Sequence, residues 1–197
     1  VPVSVQPGVT TPVVVDLGEL PAALEARVTF MGRSVSDSCS VTVSNATMSG
    51  ALVLGAATDA FQASLQPGTY DVRVSYASAV RADKTVPGVV VIGGETTRLT
   101  IDLSDVLGVV RVRVVAGSAD VTAASDVTIS GAPGRLVLPL VGSVREAIVL
   151  PGGYVAGAVY RGISSDPAEA YVQAGKVTEI EIEVRVPGRV VIIPTIA

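Results

Sequence analysis

Leu65-Gln66-Pro67-Gly68-Thr69-Tyr70-Asp71-Val72-Arg73-Val74-Ser75-Tyr76 returns as Val149-Leu150-Pro151-Gly152-Gly153-Tyr154-Val155-Ala156-Gly157-Ala158-Val159-Tyr160. Pro, Gly and both Tyr align at one constant offset, that between Tyr70 and Tyr154. The Pro-Gly pair opens a tight turn, because Pro presets φ at the first corner position and Gly tolerates the second. Alternation after the first Tyr then marks a strand with one face turned inward. A turn-plus-strand phrase repeated at such a distance indicates two copies of one domain.

Other landmarks keep the same order. Val41-Thr42-Val43-Ser44 recurs as Val127-Thr128-Ile129-Ser130, and Val28-Thr29-Phe30 matches Val112-Arg113-Val114 at the Tyr70-to-Tyr154 offset. Each copy reads as roughly seven short alternating runs separated by Gly, Pro, Asp or Ser, the pattern of an antiparallel β-sandwich. The expected fold is all-β: two tandem antiparallel immunoglobulin-like sandwiches over 19–104 and 105–185, with unpaired terminal strands.

Those terminal strands come from a second repeated phrase. Val91-Ile92-Gly93-Gly94-Glu95-Thr96-Thr97-Arg98-Leu99-Thr100-Ile101-Asp102-Leu103 is matched by 5–17, with Gly8 on Gly94, and by 175–184, with Gly175 on Gly94. Residues 1–18 therefore read as the closing hairpin of a unit. Residues 186–197 read as an opening strand, since Val186, Gly188, Val190 and Ile192 fall in turn on Val106, Gly108, Val110 and Val112. Val13-Val14-Val15 and Val190-Val191-Ile192-Ile193 are apolar at consecutive positions, so both faces of each strand present hydrocarbon, whereas an exposed strand alternates with polar residues. Burying six such side chains at about 1.5–3 kcal/mol each gives on the order of 10 kcal/mol before ordering costs. The candidate subunit interface is Val3, Val5, Val13, Val14, Val15, Leu17, Val190, Val191, Ile192 and Ile193. Pro2, Pro12 and Pro194 lack an N–H and restrict pairing to one side. Two alternatives stay open: the terminal strands pack on their own units, or the chain is an excerpt of a longer repeat array.

Composition supports a β protein and removes most chemistry. The chain has 197 residues, 49% of them apolar and only 4% aromatic with no Trp, so Val, Leu and Ile must build the core. A mean hydropathy of +0.57 is high for a monomer of this size and suggests apolar surface covered by another chain. A formal charge of −4 and a pI near 4.8 argue against nucleic acid, which requires a basic stripe to displace counterions. No stretch reads as a spanning helix. Val1 without a preceding Met fits a mature secreted chain or a trimmed one.

There is no His, which removes Ser-His-Asp and Cys-His nucleophile activation. Cys39 is the sole cysteine, so neither an intrachain disulfide nor a thiolate metal cluster can form, and it is expected to be a small buried hydrophobe. Asp37, Asp59, Asp71 and Asp83 could in principle serve a glycosidase, but few aromatics are available to hold sugar rings. The loops 34–38 and 164–169 lack the dense Asp spacing of a calcium site. Neither metal nor cofactor is expected. Glu179, Glu181 and Glu183 share one strand face, as do Arg111 and Arg113, and an exterior ladder of ion pairs is favoured over an acidic ligand patch. Asn45-Ala46-Thr47 is a glycosylation sequon on the one Asn of the chain.

Phe61, Leu65, Pro67, Gly68, Tyr70, Val72 and Val74 carry a phrase that resembles the carboxypeptidase-regulatory-like, transthyretin-like family of immunoglobulin-type sandwiches. The second copy keeps the Pro-Gly-x-Tyr but lacks the Phe and has Ala156 and Ala158 in place of Val. The resemblance implies a fold, and it implies adhesive, spacer or accessory roles on secreted and surface proteins. The expected function is a non-enzymatic structural subunit of an extracellular, pilus- or fimbria-like fibre, whose partners are copies of itself. The alternative is a monomeric binding or spacer module of a larger surface protein, directed at glycans.

Overall fold

The computed structural model describes residues 20–186 together with Pro7, Gly8, Thr10 and Pro12. All ten candidate interface residues (Val3, Val5, Val13, Val14, Val15, Leu17, Val190, Val191, Ile192 and Ile193) lie outside the described residues.

The first copy consists of β1 (Ala22–Phe30), β2 (Arg33–Ser34), a single 3-10 turn (Ser36–Ser38), β3 (Cys39–Ser44), β4 (Leu52–Val53), β5 (Gly55–Ala57), β6 (Ala60–Leu65), β7 (Gly68–Ala77), β8 (Arg81–Val91) and β9 (Thr96–Asp102). One sheet has the order β2-β1-β6-β5 with β9 against β1, and the other runs β4-β3-β7-β8. The second copy repeats this with β10 (Gly108–Ala116), β11 (Ala119–Asp120), a 3-10 turn (Thr122–Ala124), β12 (Ser125–Gly131), β13 (Gly134–Val137), β14 (Leu140–Val141), β15 (Val144–Val149), β16 (Gly152–Tyr160), β17 (Ile163–Ser164), β18 (Ala168–Val172) and β19 (Val177–Glu183). Its sheets are β11-β10-β15-β14 with β19 against β10, and β13-β12-β16-β17 with β18 against β16. The all-β sandwich architecture expected from the alternating runs is thus present.

Alternation decides which side chains form each core. Along β7, Tyr70, Val72, Val74 and Tyr76 are buried while the residues between them face out, and along β16 the inward positions are Tyr154, Ala156 and Ala158. Ala in place of Val at two core positions leaves the second copy with smaller side chains opposite Val127 and Ile129, which are fully buried.

Register shows how the copies correspond. Val35 N–H donates to Val28 O (3.1 Å) and Val121 N–H to Val114 O (2.9 Å), so Val28 matches Val114. The sequence alignment of Val28 with Val112 is therefore out of step by one inward position; a slip of that size keeps every side chain on its face, so alternation alone cannot detect it. Ala22 pairs with Leu65 and Gly108 with Val149, so by β6 and β15 the match has shortened to that of Leu65 with Val149. It shortens again before the final strands, where Gly94 matches Gly175. The differences are absorbed in the loops between them.

The last strand departs from a purely antiparallel plan. β19 lies parallel to β10, pairing Val109 with Val177 through Val115 with Glu183. The chain reaches β19 from β18 in the opposite sheet, so a crossover rather than a hairpin sets its direction. The flanking bonds recur in both copies: Ala23 N–H to Glu95 O and Leu103 N–H to Thr29 O in the first, Val109 N–H to Lys176 O and Val184 N–H to Val115 O in the second. The repeated phrase that precedes this strand turns at a glycine in left-handed backbone, Gly94 with φ 75° and Gly175 with φ 65°; Gly8 has φ 79°.

By packing, the described residues gather into two compact units. One holds Ser34–Val74, Thr85–Ile101 and the described residues up to Val28; the other holds Thr29–Arg33, Ser75–Lys84 and the described residues from Asp102 onward. Within the latter, Lys84 Nζ donates to Asp102 O (2.6 Å) and bridges to Asp105 (2.7 Å), and Met31 N–H donates to Ser104 Oγ (3.0 Å).

The Pro-Gly-x-Tyr phrase has a physical role at each corner. Tyr70 and Tyr154 are almost fully buried, and each hydroxyl donates to a carbonyl one turn back, Gln66 O (2.8 Å) and Leu150 O (2.9 Å). The ring fills the sandwich end while its hydroxyl satisfies a turn carbonyl, a pairing that Phe cannot make. Tyr70→Phe and Tyr154→Phe are each expected to lower stability by about 1–3 kcal/mol, the cost of an orphaned buried acceptor. Urea unfolding of each variant checks this, and an unchanged midpoint would refute it.

Candidate functional site

The densest set of charged side chains lies on the outward face of the β10–β19 pair. Parallel register brings Arg111 opposite Glu179 and Arg113 opposite Glu181. Arg111 reaches Glu179 (Nη1 to Oε1, 3.2 Å) on one side and Glu146 of β15 (Nη2 to Oε2, 2.7 Å) on the other. Arg113 likewise spans Glu181 (3.3 Å) and Asp120 of β11 (2.9 Å). The ladder foreseen from the two strand faces is therefore formed at Glu179 and Glu181, whereas Glu183, opposite Val115, has no ion pair among the described residues. Hydrogen bonding and charge from Glu146, and then from Glu179, hold the Arg111 guanidinium above its ordinary pKa.

Sequence reading missed Asp120, Glu146 and Arg145. Asp120 accepts from the Thr122 backbone N–H (3.0 Å), and Thr122, fully buried, both accepts from Val114 N–H (2.8 Å) and donates to Val114 O (3.3 Å). Hydrogen bonding by Thr122 first, and then Arg113, pulls the Asp120 carboxyl down to about 2. Arg145 stands where the first copy has Phe61, by the same match that sets Leu65 on Val149. It donates to three carbonyls, Ser125 O (2.6 Å), Thr122 O (3.4 Å) and Leu138 O (3.4 Å), so a guanidinium does by hydrogen bonding what a buried ring does by packing. The missing Phe was the available signal.

On the equivalent face of the first copy one ion pair is reversed in sign, while Arg27 keeps the charge of Arg113. Glu25 occupies the position of Arg111 and Arg98 that of Glu179, and Glu25 is bridged by Arg27 (3.3 Å) and Arg98 (3.8 Å). A shallow depression beside them is lined by Glu25, Gln62, Ser64 and Arg98. Retention of an ion pair after exchange of its signs is what a cross-strand contact permits, because only the product of the charges matters.

Of the carboxylates considered for a glycosidase, two serve as hydrogen-bond acceptors between strands. Asp71 accepts from Gly88 N–H (3.0 Å) and Asp83 from Ser75 Oγ (2.5 Å), which ties both to neighbouring strands. Among the described residues no cluster of three metal-ligating side chains occurs. No helix among them is long and apolar enough to cross a membrane. Cys39 is half-buried, and burial pushes its thiol up to about 11, so it is protonated and a poor nucleophile at neutral pH. Asn45 sits in the turn after β3, where its Oδ1 accepts from Thr47 N–H (3.1 Å), Thr47 Oγ1 (3.0 Å) and Met48 N–H (3.0 Å), closing an Asx turn over the sequon.

No protein-family model matches the chain, and no curated protein matches it in sequence. Among solved structures it is similar to the Bacillus anthracis TIE protein (17% identity over 85% of this chain and 34% of that one, TM-score 0.37). It is also similar to the shaft pilin SpaA of Lactobacillus rhamnosus GG (9% identity, 86% and 99% covered, TM-score 0.40) and to a candidate cell adhesion protein from Bacteroides ovatus (9% identity, 87% and 99% covered, TM-score 0.45). The chain thus spans 34% of the length of the first of these.

Asp120 gives a pH prediction. Its folded pKa, about 2, lies below the ordinary 3.8, so its contribution to stability is present above about 3.8 and is lost as pH falls toward about 2. Unfolding midpoints measured from pH 5 to pH 2 should fall less steeply in Asp120→Asn than in the parent; identical slopes would refute the assignment.

Proposed function

We propose that the chain is a non-enzymatic structural subunit of an extracellular, pilus- or fimbria-like fibre, joined to neighbouring copies by donation of terminal β-strands. One observation carries the reading: in both copies the final strand is a parallel neighbour of the first. Residues 10–16 share the pattern of that final strand, with Gly8 on Gly94, and residues 188–193 share the pattern of β10, with Gly188 on Gly108. Carried over, the β10–β19 register sets Val191 opposite Pro12, Ile192 opposite Val13 and Ile193 opposite Val14. Where Arg111 meets Glu179 and Arg113 meets Glu181, the terminal segments bring hydrocarbon together. Outward positions that hold ion pairs when facing water hold Val191, Pro12, Ile193 and Val14 here, which suits a strand pair covered on both faces.

Association of this kind is heterologous, so it propagates instead of closing. Membership of the carboxypeptidase-regulatory-like sandwiches belongs to the same proposal, supported by the paired Pro-Gly-x-Tyr corners. Its site of action is the cell surface or the extracellular space.

Removal of residues 1–17 should convert polymers into monomers, read by sedimentation and electron microscopy. Val14→Glu alone should weaken assembly, and Val14→Glu with Ile193→Arg should restore it by recreating the Arg113–Glu181 arrangement. Filaments that survive the deletion unchanged would overturn the proposal, and an intact chain that stays monomeric at every concentration would select the spacer-module alternative.

A further inference from the structure

We propose that the outward face of the sheet formed by β12, β13, β16 and β18 binds the same face of a second copy of this chain, about a two-fold axis running along the strands. The two repeats supply the control. At the outward positions of β7 the first copy has Thr69, Asp71, Arg73 and Ser75; the equivalent positions of β16, with Tyr154 on Tyr70, hold Gly153, Val155, Gly157 and Val159. In the first copy Asp71 and Ser75 are bonded to Gly88 and Asp83, so that face is polar and internally satisfied. The second copy has exchanged all four polar groups for hydrocarbon or hydrogen.

The fold does not ask for this exchange. Among the described residues a Cβ at Gly153 or Gly157 would meet nothing within 4 Å, and neither has the positive φ that favours glycine. Their missing side chains instead leave a shallow, mainly apolar depression lined by Gly153, Val155, Glu169 and Tyr171 (67% exposed), with Val137 (70% exposed) on the row of Gly157. Surfaces of this kind admit an opposing sheet at the usual spacing of about 10 Å.

Charge identifies the occupant. One cross-strand row reads Arg135, Ser130, Val155, Glu169, from β13 through β12 and β16 to β18. Arg135 and Glu169 have no ion-pair partner among the described residues, and three strand spacings, about 14 Å, separate them within one chain. A two-fold axis along the strands reverses the row, setting Arg135 of each copy over Glu169 of the other with Val155 and Ser130 between. An uncharged ligand would leave both charges unmatched, whereas a second copy matches each of them once, giving two Arg135–Glu169 pairs. This contact is lateral and does not use the terminal strands.

The test is covalent, so end-to-end association cannot imitate it. In a Cys39→Ser background, the full chain carrying Arg135→Cys and Glu169→Cys together should form covalent dimers with a short bismaleimide, which spans the roughly 10 Å between facing sheets that a disulfide cannot, read on a denaturing gel. Either substitution alone should give at least tenfold less, because each thiol then faces Glu or Arg. Adding Gly157→Arg, the first copy's residue, should abolish the dimer while leaving the unfolding midpoint unchanged, since no described residue occupies that space. Absence of the dimer in the double variant, or its persistence with Gly157→Arg, would overturn the proposal. Repeating the gel after removal of residues 1–17 separates the two contacts: the lateral dimer should persist where filaments are lost.

Discussion

Each sandwich is closed by the hydrogen bonds between its first and last strands. β10 is the central strand of its sheet because β19 joins on one side and β15 on the other, and β1 occupies the same place between β9 and β6. Without the last strand, the first would expose a row of unpaired backbone groups at a sheet edge, a strong template for another chain. The rest follows from this closure: a parallel step, a crossover from the opposite sheet, and a left-handed glycine where the chain turns into the final strand.

The same closure sorts the charged residues. Parallel register sets side chains of the two strands directly abreast, and outward pairs become ion pairs, one of which reverses sign between the copies: Arg111 with Glu179 in one and Glu25 with Arg98 in the other. Each exposed pair contributes little to stability on its own. What the ladder supplies is register and solubility on a face that would otherwise be hydrocarbon. The apolar residues proposed to meet at the terminal strands differ from it in one respect, since they are suited to cover rather than to water.

Divergence between the copies is informative because both solve one folding problem. Phe61 gives way to Arg145, and the end of the sandwich is then held by hydrogen bonds to three carbonyls. Asp71 gives way to Val155 and Arg73 to Gly157, and an outward face changes from polar to apolar without any demand from the core. Apart from Phe61 and Arg145, the core positions changed within the limits of packing, as Val to Ala in β16, whereas the outward face of β16 changed in chemical kind. Such a change on an exposed surface is the observation from which the lateral contact is proposed.

Alternation of apolar residues, the Pro-Gly-x-Tyr corners and the two recurring phrases determined the class of fold, the number of copies and the faces of Arg111, Arg113, Glu179 and Glu181, because each depends on local periodicity or turn chemistry. Asp120, Glu146 and Arg145 were not legible, since their partners lie on strands or turns distant in sequence and no spacing announces them. Nor could the sequence separate Val28 matching Val112 from Val28 matching Val114, because a slip of one alternation period preserves every inward and outward position. Tertiary structure decided that register, and with it the parallel direction of the last strand, because both are set by which backbone groups meet across a sheet and not by what the side chains are.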